Sequence, residues 1–161
     1  MKKVWCVRGT KDHDVAGSYA KEFVKGGFIG IGFGMHESLV GICAREEIEA
    51  AYCSQNPSRA NEPQHVGIQT GQIHRFVCEM NTDDYVITPA ENTDLVYVGI
   101  VDRKGYYFVQ NPADECHFKQ RRHVDWFNEP IARSSINSYL GPMTVFQLNH
   151  VADFLKAINQ A

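Results

Sequence analysis

The sequence predicts an α+β domain with a curled or barrel-like mixed sheet flanked by helices, on three observations. Helix-period segments crowd the first half of the chain and strand-period segments dominate the second. The 161 residues are 43% hydrophobic and 22% charged, enough for one core that buries roughly two-thirds of the unfolded surface. No repeat, low-complexity tract or Pro/Ser-rich linker interrupts the chain, so a single domain is expected over residues 1–161.

Each element follows from local pattern. "KVWCVR" alternates Val4 and Cys6 against Trp5 and Val7 and reads as a first strand. "AGSYAKEFVKGG" sets Ala16, Tyr19, Ala20 and Phe23 on one helical face and stops at Gly26-Gly27, a glycine C-cap. "FIGIGF" resumes as a short strand, "REEIEAAYC" is a second helix, and residues 54–64, with two prolines, form a loop. "TGQIHRFVCEM" places Ile73, Phe76, Val77 and Met80 on one face with Thr70 as N-cap, a third helix. "NTDD" is turn chemistry before the strand "YVITP". "LVYVGIV", "YYFV", "HFKQRRHVDWF" and "MTVFQL" follow as strands, with turns at Arg103-Lys104-Gly105 and Asn111-Pro112. "SSINSYLG" reads as a short helix and "VADFLKAINQ" as a closing one.

Composition excludes several classes. No apolar run approaches the roughly 20 residues of a membrane span, and "MKKVWCVRG" lacks the apolar core of a leader peptide, so a cytoplasmic protein is expected. The five cysteines, Cys6, Cys43, Cys53, Cys78 and Cys116, are odd in number and widely spaced, which predicts reduced, mostly buried thiols. A net charge of −3 gives no global attraction to nucleic acid, so any such contact must come from a local basic patch.

"GGFIGIGFGMHE" poses the question of a phosphate loop. Met35 stands where the third glycine of a dinucleotide fingerprint belongs, and no Gly-Lys-Ser/Thr follows. The glycines read instead as a kinked strand, either plain packing in a tight barrel or a device that clears space around Phe33 so that its ring can meet a flat ligand. No catalytic signature is present; Glu91 and Asp94 lack the lysine of a nuclease pattern, and Asp83-Asp84 is a turn pair. His74 reads as a packed or solvated helical residue. Cys116-His117 with His123 makes a poor metal set, because adjacent strand residues point to opposite faces. Neither metal nor cofactor is expected. Basic residues Arg103, Lys104, Lys119, Arg121, Arg122 and His123 interleave with Tyr106, Tyr107, Phe108 and Phe118. Nucleic-acid sites combine such cations and aromatic faces, although a strand that buries its aromatics gives the same pattern.

The ordered segments "VWCVRG…YAKEFVKGGFIGIGFG", "GQIHRFVCEMNTDDYVITP…VYVGIV" and "RRHVDWF…SINSYLGPMTVFQL" resemble the PUA-like (EVE/YTH-like) domain at the N-terminus of Mrr-type and related modification-dependent restriction endonucleases. The resemblance spans about residues 4–148. Trp5 to Gly9 matches its W-x-V-R-glycine strand, Gly32-Phe33-Gly34 its G-W-G triplet with Phe33 in place of tryptophan, Val98 to Val101 its V-G-x-V strand, and Arg122 to Trp126 its late R-x-V-x-W strand. The resemblance implies a non-catalytic reader that holds a modified, methylated DNA base in an aromatic cage, with RNA left open and a nuclease domain or subunit as the implied partner. Carried over by position, Phe33 between Gly32 and Gly34 would form one wall, and one or two of Tyr106, Tyr107 and Phe108 another. Arg8, Arg75, Lys119, Arg121 and Arg122 would hold the backbone. Trp5 and Trp126 are expected in the core. The alternatives are a small-molecule binder or enzyme on the same scaffold using His74 or His123, and a protein-interaction module.

Overall fold

The computed structural model describes residues 2–11, 16–136 and 140–159. Its elements run β1 (Val4–Val7), α1 (Ala20–Gly26), β2 (Phe28–Ile31), α2 (Arg45–Gln55), α3 (Pro63–His74), β3 (Tyr85–Pro89), β4 (Leu95–Phe108), β5 (Gln120–Trp126), β6 (Ile131–Ala132), β7 (Val145–Gln147) and α4 (Val151–Asn159). Helices and a seven-stranded mixed sheet make this an α+β fold, as expected. The sheet order is β2-β5-β4-β3-β1-β7, with β6 on β4. Only β1 and β3 run parallel; the other pairs are antiparallel. Among the described residues β2 and β7 end the path without pairing to each other, so the sheet is open.

The alternation read in the first strand sorts residues between two cores. Trp5 and Val7 join Phe23, Ile29, Ile48, Ile73 and Phe76 in one apolar cluster. Val4 and Cys6 join Ile87, Val96, Val98 and Phe154 in another, which includes Phe154 and Ala157 of α4. A period of two along the strand dictates this division. Trp5 is buried and its indole N–H donates to Asp84 Oδ2 at 3.0 Å. Trp126 packs against the first cluster and donates to the Phe23 carbonyl at 2.9 Å. Both tryptophans are therefore structural. α1 ends at Gly27, whose left-handed φ of 71° closes the predicted glycine cap through an N–H bond to the Phe23 carbonyl.

The structure corrects four expectations. The third helix starts at Pro63 inside the stretch read as loop, and proline at the first helical position is tolerated because its missing N–H would be unpaired there anyway. Thr70 is therefore mid-helix, and its hydroxyl donates back to the Val66 carbonyl at 2.7 Å. The helix then widens into a π-helical turn over Arg75–Glu79. The turn expected at Arg103-Lys104-Gly105 is an irregularity inside the single strand β4, where pairing with β5 shifts register between Val101 and Tyr106. Cys43 and Cys78 are joined as a disulfide, against the expectation of reduced thiols throughout; Cys6, Cys53 and Cys116 remain free. The helix expected over "SSINSYLG", residues 134–141, spans residues 137–139, which lie outside the described residues, and Arg133–Ser135 at its start form one 3₁₀ turn. No helix is long and apolar enough to cross a membrane among the described residues.

Candidate functional site

The chain leaves β2 through a tight turn. The Met35 N–H donates to the Gly32 carbonyl at 3.0 Å, and the two residues between, Phe33 and Gly34, have φ of 53° and 66°. Glycine adopts this left-handed backbone freely; phenylalanine pays on the order of 1–2 kcal/mol. The strain is held from α2. Asn56 Nδ2 donates to the Phe33 carbonyl at 3.2 Å and to the Tyr52 carbonyl at 3.1 Å, and a Cβ on residue 34 would drive into Asn56 Oδ1. A costly conformation kept in place by a neighbouring side chain is a mark of functional sites. Its effect here is to keep the Phe33 ring half-buried at a cavity.

That cavity has a volume of about 610 Å³, the size of a small-molecule or single-nucleotide site. Aromatic Phe33, Tyr52 and Phe118 line it with Ile68 and Met143. From α3 come His65, Ile68, Gln69 and Gln72, spaced i, i+3, i+4 and i+7 and so on one helical face. Lys11, Arg59 and Lys119 supply cations, and among the described residues no carboxylate is in the lining. Glu62, outside the lining, accepts from Arg59 Nε at 2.5 Å.

A polar chain runs along this wall. Arg59 donates from Nη2 to His65 Nδ1 at 2.9 Å, and His65 Nε2 lies 2.8 Å from the Tyr52 hydroxyl. Arginine has only donors, so Nδ1 must be the bare nitrogen and Nε2 carries the ring proton. The Tyr52 oxygen is then an acceptor toward His65. Burial raises the Tyr52 pKa above the ordinary tyrosine value, with Arg59 opposing, so the hydroxyl keeps its own proton. Sequence reading missed Tyr52, Arg59, His65 and Gln69. The Pro63 helix start was the available signal; with it, His65 and Gln69 fall on one face.

The predicted residues divide sharply between this cavity and elsewhere. Gly32, Phe33, Gly34 and Lys119 line it. Tyr106 does not. Its hydroxyl accepts the Leu39 N–H at 3.0 Å and donates to Gln120 Oε1, while Gln120 Nε2 donates to the Met35 and Glu37 carbonyls at 3.3 and 2.8 Å. Tyr106 thus fastens the segment after the Phe33 turn. Tyr107 stacks on His123, ring centroids 4.2 Å apart and planes at 19°, and Phe108 pairs with Gln120 in the sheet; neither lines the cavity. Tyr106, Tyr107 and Phe108, expected beside Phe33, are thus absent from the cavity, and its other aromatic walls are Tyr52 and Phe118.

The expected arginines lie away from this cavity and have partners within the protein. Arg121, 4% exposed, spends its guanidinium on Asp114 (2.6 and 2.8 Å) and the Phe118 and Cys116 carbonyls (2.8 and 2.7 Å), and lies over the Phe28 ring. Arg122 is buried and donates to the Met80 carbonyl at 2.8 Å, its charge disfavoured by burial and partly restored by Asp84. Arg121 and Arg122 are adjacent on β5 and so point to opposite faces, and both are buried, so both faces of the strand are covered there. Arg75 donates to the Val145 carbonyl at 3.2 Å. Arg8 donates to the Leu140 and Gly141 carbonyls at 3.2 and 2.9 Å and lines a separate cleft of about 410 Å³ with Glu91, Asp94 and Arg133. His74 faces Glu79 at 3.4 Å, and His123 is held below the ordinary histidine pKa by burial and Lys104. Neither His74 nor His123 reaches the Phe33 cavity; exposed His117 does.

Residues 5–149 match the family described as a domain of unknown function, DUF8426, and the chain belongs to that family. No curated protein matches it in sequence.

Proposed function

We propose that this DUF8426 domain is a nucleic-acid reader that takes one extruded or single-stranded base into the Phe33 cavity and recognises a modification on it. One observation carries the reading: a cavity of about 610 Å³ combines aromatic walls with three cations and, among the described residues, no carboxylate, in a chain of net charge −3. This is the local basic patch that the overall charge made a requirement. An anionic, planar ligand satisfies both properties, and a nucleotide within a strand is such a ligand.

The energetics fit a modest discriminator. Extrusion of a base costs a few kcal/mol, least when the strand is already open. Stacking on an aromatic ring returns about 1–3 kcal/mol per base. A methyl group against Phe33, Ile68, Phe118 or Met143 adds on the order of 1 kcal/mol, about fivefold in affinity. Lys11 and Lys119 in the lining serve as phosphate contacts, with Arg59 already engaged by Glu62. Two contacts to a single strand correspond to a log–log salt slope of about −1.4. The α+β sheet with helices against it is compatible with the PUA-like resemblance, and in that setting the domain would act without chemistry of its own, as the specificity module of a modification-dependent restriction system whose nuclease lies in another domain or subunit.

The test is fluorescence-anisotropy titration of short single- and double-stranded oligonucleotides that differ in one base: plain, N6-methylated, 5-methylated or 5-hydroxymethylated. The reading expects tighter binding to one modified probe, lost on Phe33→Ala with the fold intact. Absence of binding to every probe at low salt would refute it.

A further inference from the structure

Two polar groups at the cavity keep hydrogen-bonding capacity that the described residues do not fill. Gln69 Oε1 is buried and accepts no hydrogen bond among the described residues. A buried acceptor left unpaired is destabilising. The Tyr52 hydroxyl is the second. Its oxygen receives the His65 Nε2 proton, because Arg59 occupies Nδ1, and its own proton finds no acceptor among the described residues. Tyr52 is 4% exposed, so water does not freely satisfy it.

The two side chains are linked through α3. Tyr52 is bonded to His65, and Gln69 stands four residues on, one turn along the same face. Both residues line the cavity that holds Phe33. The wall therefore carries one O–H donor and one carbonyl acceptor.

We infer that this pair selects the class of base: a ring nitrogen that accepts beside an exocyclic amine that donates, the amidine edge shared by adenine and cytosine. Tyr52 donates to the ring nitrogen and Gln69 Oε1 accepts from the amine. Bases with a lactam edge, such as thymine, uracil and hypoxanthine, carry N–H and C=O at those positions. They would set an N–H against the tyrosine proton and a carbonyl against the glutamine oxygen, leaving four polar groups unmatched. Arg59 and His65 are positioning residues: they fix the direction of the Tyr52 proton without touching the base. The selection rests on the reading that a base enters this cavity, and names which bases it accepts.

The experiment uses isosteric pairs in an otherwise identical single-stranded oligonucleotide: 5-methylcytosine against thymine, and adenine against hypoxanthine. Each pair differs only along this edge. Wild-type protein is expected to bind the amidine member about tenfold more tightly in whichever pair, pyrimidine or purine, fits the cavity. Tyr52→Phe keeps the ring and its packing and should reduce the preference to about twofold or less; Gln69→Leu should do the same, with thermal midpoints confirming that both variants fold. His65→Phe should weaken the preference with no loss of the Phe33 dependence. Equal wild-type binding within both pairs, or full preference retained in Tyr52→Phe and Gln69→Leu, would overturn the inference and leave base binding itself standing. Binding of no probe would instead overturn the nucleic-acid reading, and this selection with it.

Discussion

Arg121→Met separates a structural arginine from a phosphate contact. Asp114, whose side chain is 44% exposed, contributes at most about 1 kcal/mol through its ion pair, since solvent screens it. The buried end matters more. Loss of the guanidinium leaves the Cys116 and Phe118 carbonyls unpaired, and Cys116 and Phe118 are both buried; each costs about 1–3 kcal/mol. Methionine fills the apolar space over the Phe28 ring, where the guanidinium carbon lies 4.1 Å from the centroid, so little cavity penalty is added. The expected loss is about 3–5 kcal/mol, in the range for removal of one partner from a buried charged network. For a domain of this size each kcal/mol lowers Tm by about 2–4 °C, so a drop of roughly 10 °C is expected in thermal denaturation followed by circular dichroism. Below the transition, oligonucleotide affinity should stay within about twofold of wild type. A variant with an unchanged Tm that fails to bind would refute the reasoning and return Arg121 to the interface.

Other outcomes follow from the same contacts. Gly34→Ala forces a left-handed backbone onto a side chain and displaces Asn56, so it should cost about 2–3 kcal/mol in chemical denaturation and abolish probe binding. Reduction of Cys43–Cys78, which closes a loop of 35 residues, should lower stability by about 3–4 kcal/mol, measured as the denaturation midpoint with and without reductant and absent in Cys43→Ser. His123 has a folded pKa held below its unfolded value, so the unfolded chain binds the extra proton. Stability from this group is complete above about pH 6.5 and falls as pH drops through the folded pKa. A pH series of denaturation midpoints should show that slope, and His123→Gln should flatten it. Asp84→Ala strips the acceptor from the Trp5 indole and from the Lys3 and Asn81 N–H groups, and should destabilise by about 3 kcal/mol or more in the same assay.

The limits of sequence reading here have physical causes. Period-two alternation separated Trp5 and Val7 from Val4 and Cys6 correctly because β1 lies between β3 and β7 with a core on each face. The same rule misled at Arg121 and Arg122, where both faces of β5 are covered and charge is neutralised by Asp114 and by backbone carbonyls that no local pattern announces. Phe33 and its two glycines were legible, since a Gly-x-Gly after a strand demands an unusual backbone. The opposite wall was not. It depends on α2 meeting α3, and reading Thr70 as a helix start removed His65 and Gln69 from view. Tyr106 looked like a ligand aromatic because its partner, Gln120, lies on the adjacent strand and the register shift in β4 is invisible from one chain segment. The Cys43–Cys78 bond likewise joins ends of a 35-residue excursion that only the helix pair brings together.

The central claim is that a base stacks in the cavity at Phe33. Phe33→Trp reports on it directly, because Trp5 is 1% exposed and Trp126 is tied into the core, so fluorescence change on titration arises at position 33. The account predicts saturable quenching by an oligonucleotide with the preferred base, following the same isotherm as anisotropy. A rise in anisotropy with unchanged tryptophan emission would contradict it and place the nucleic acid on another surface.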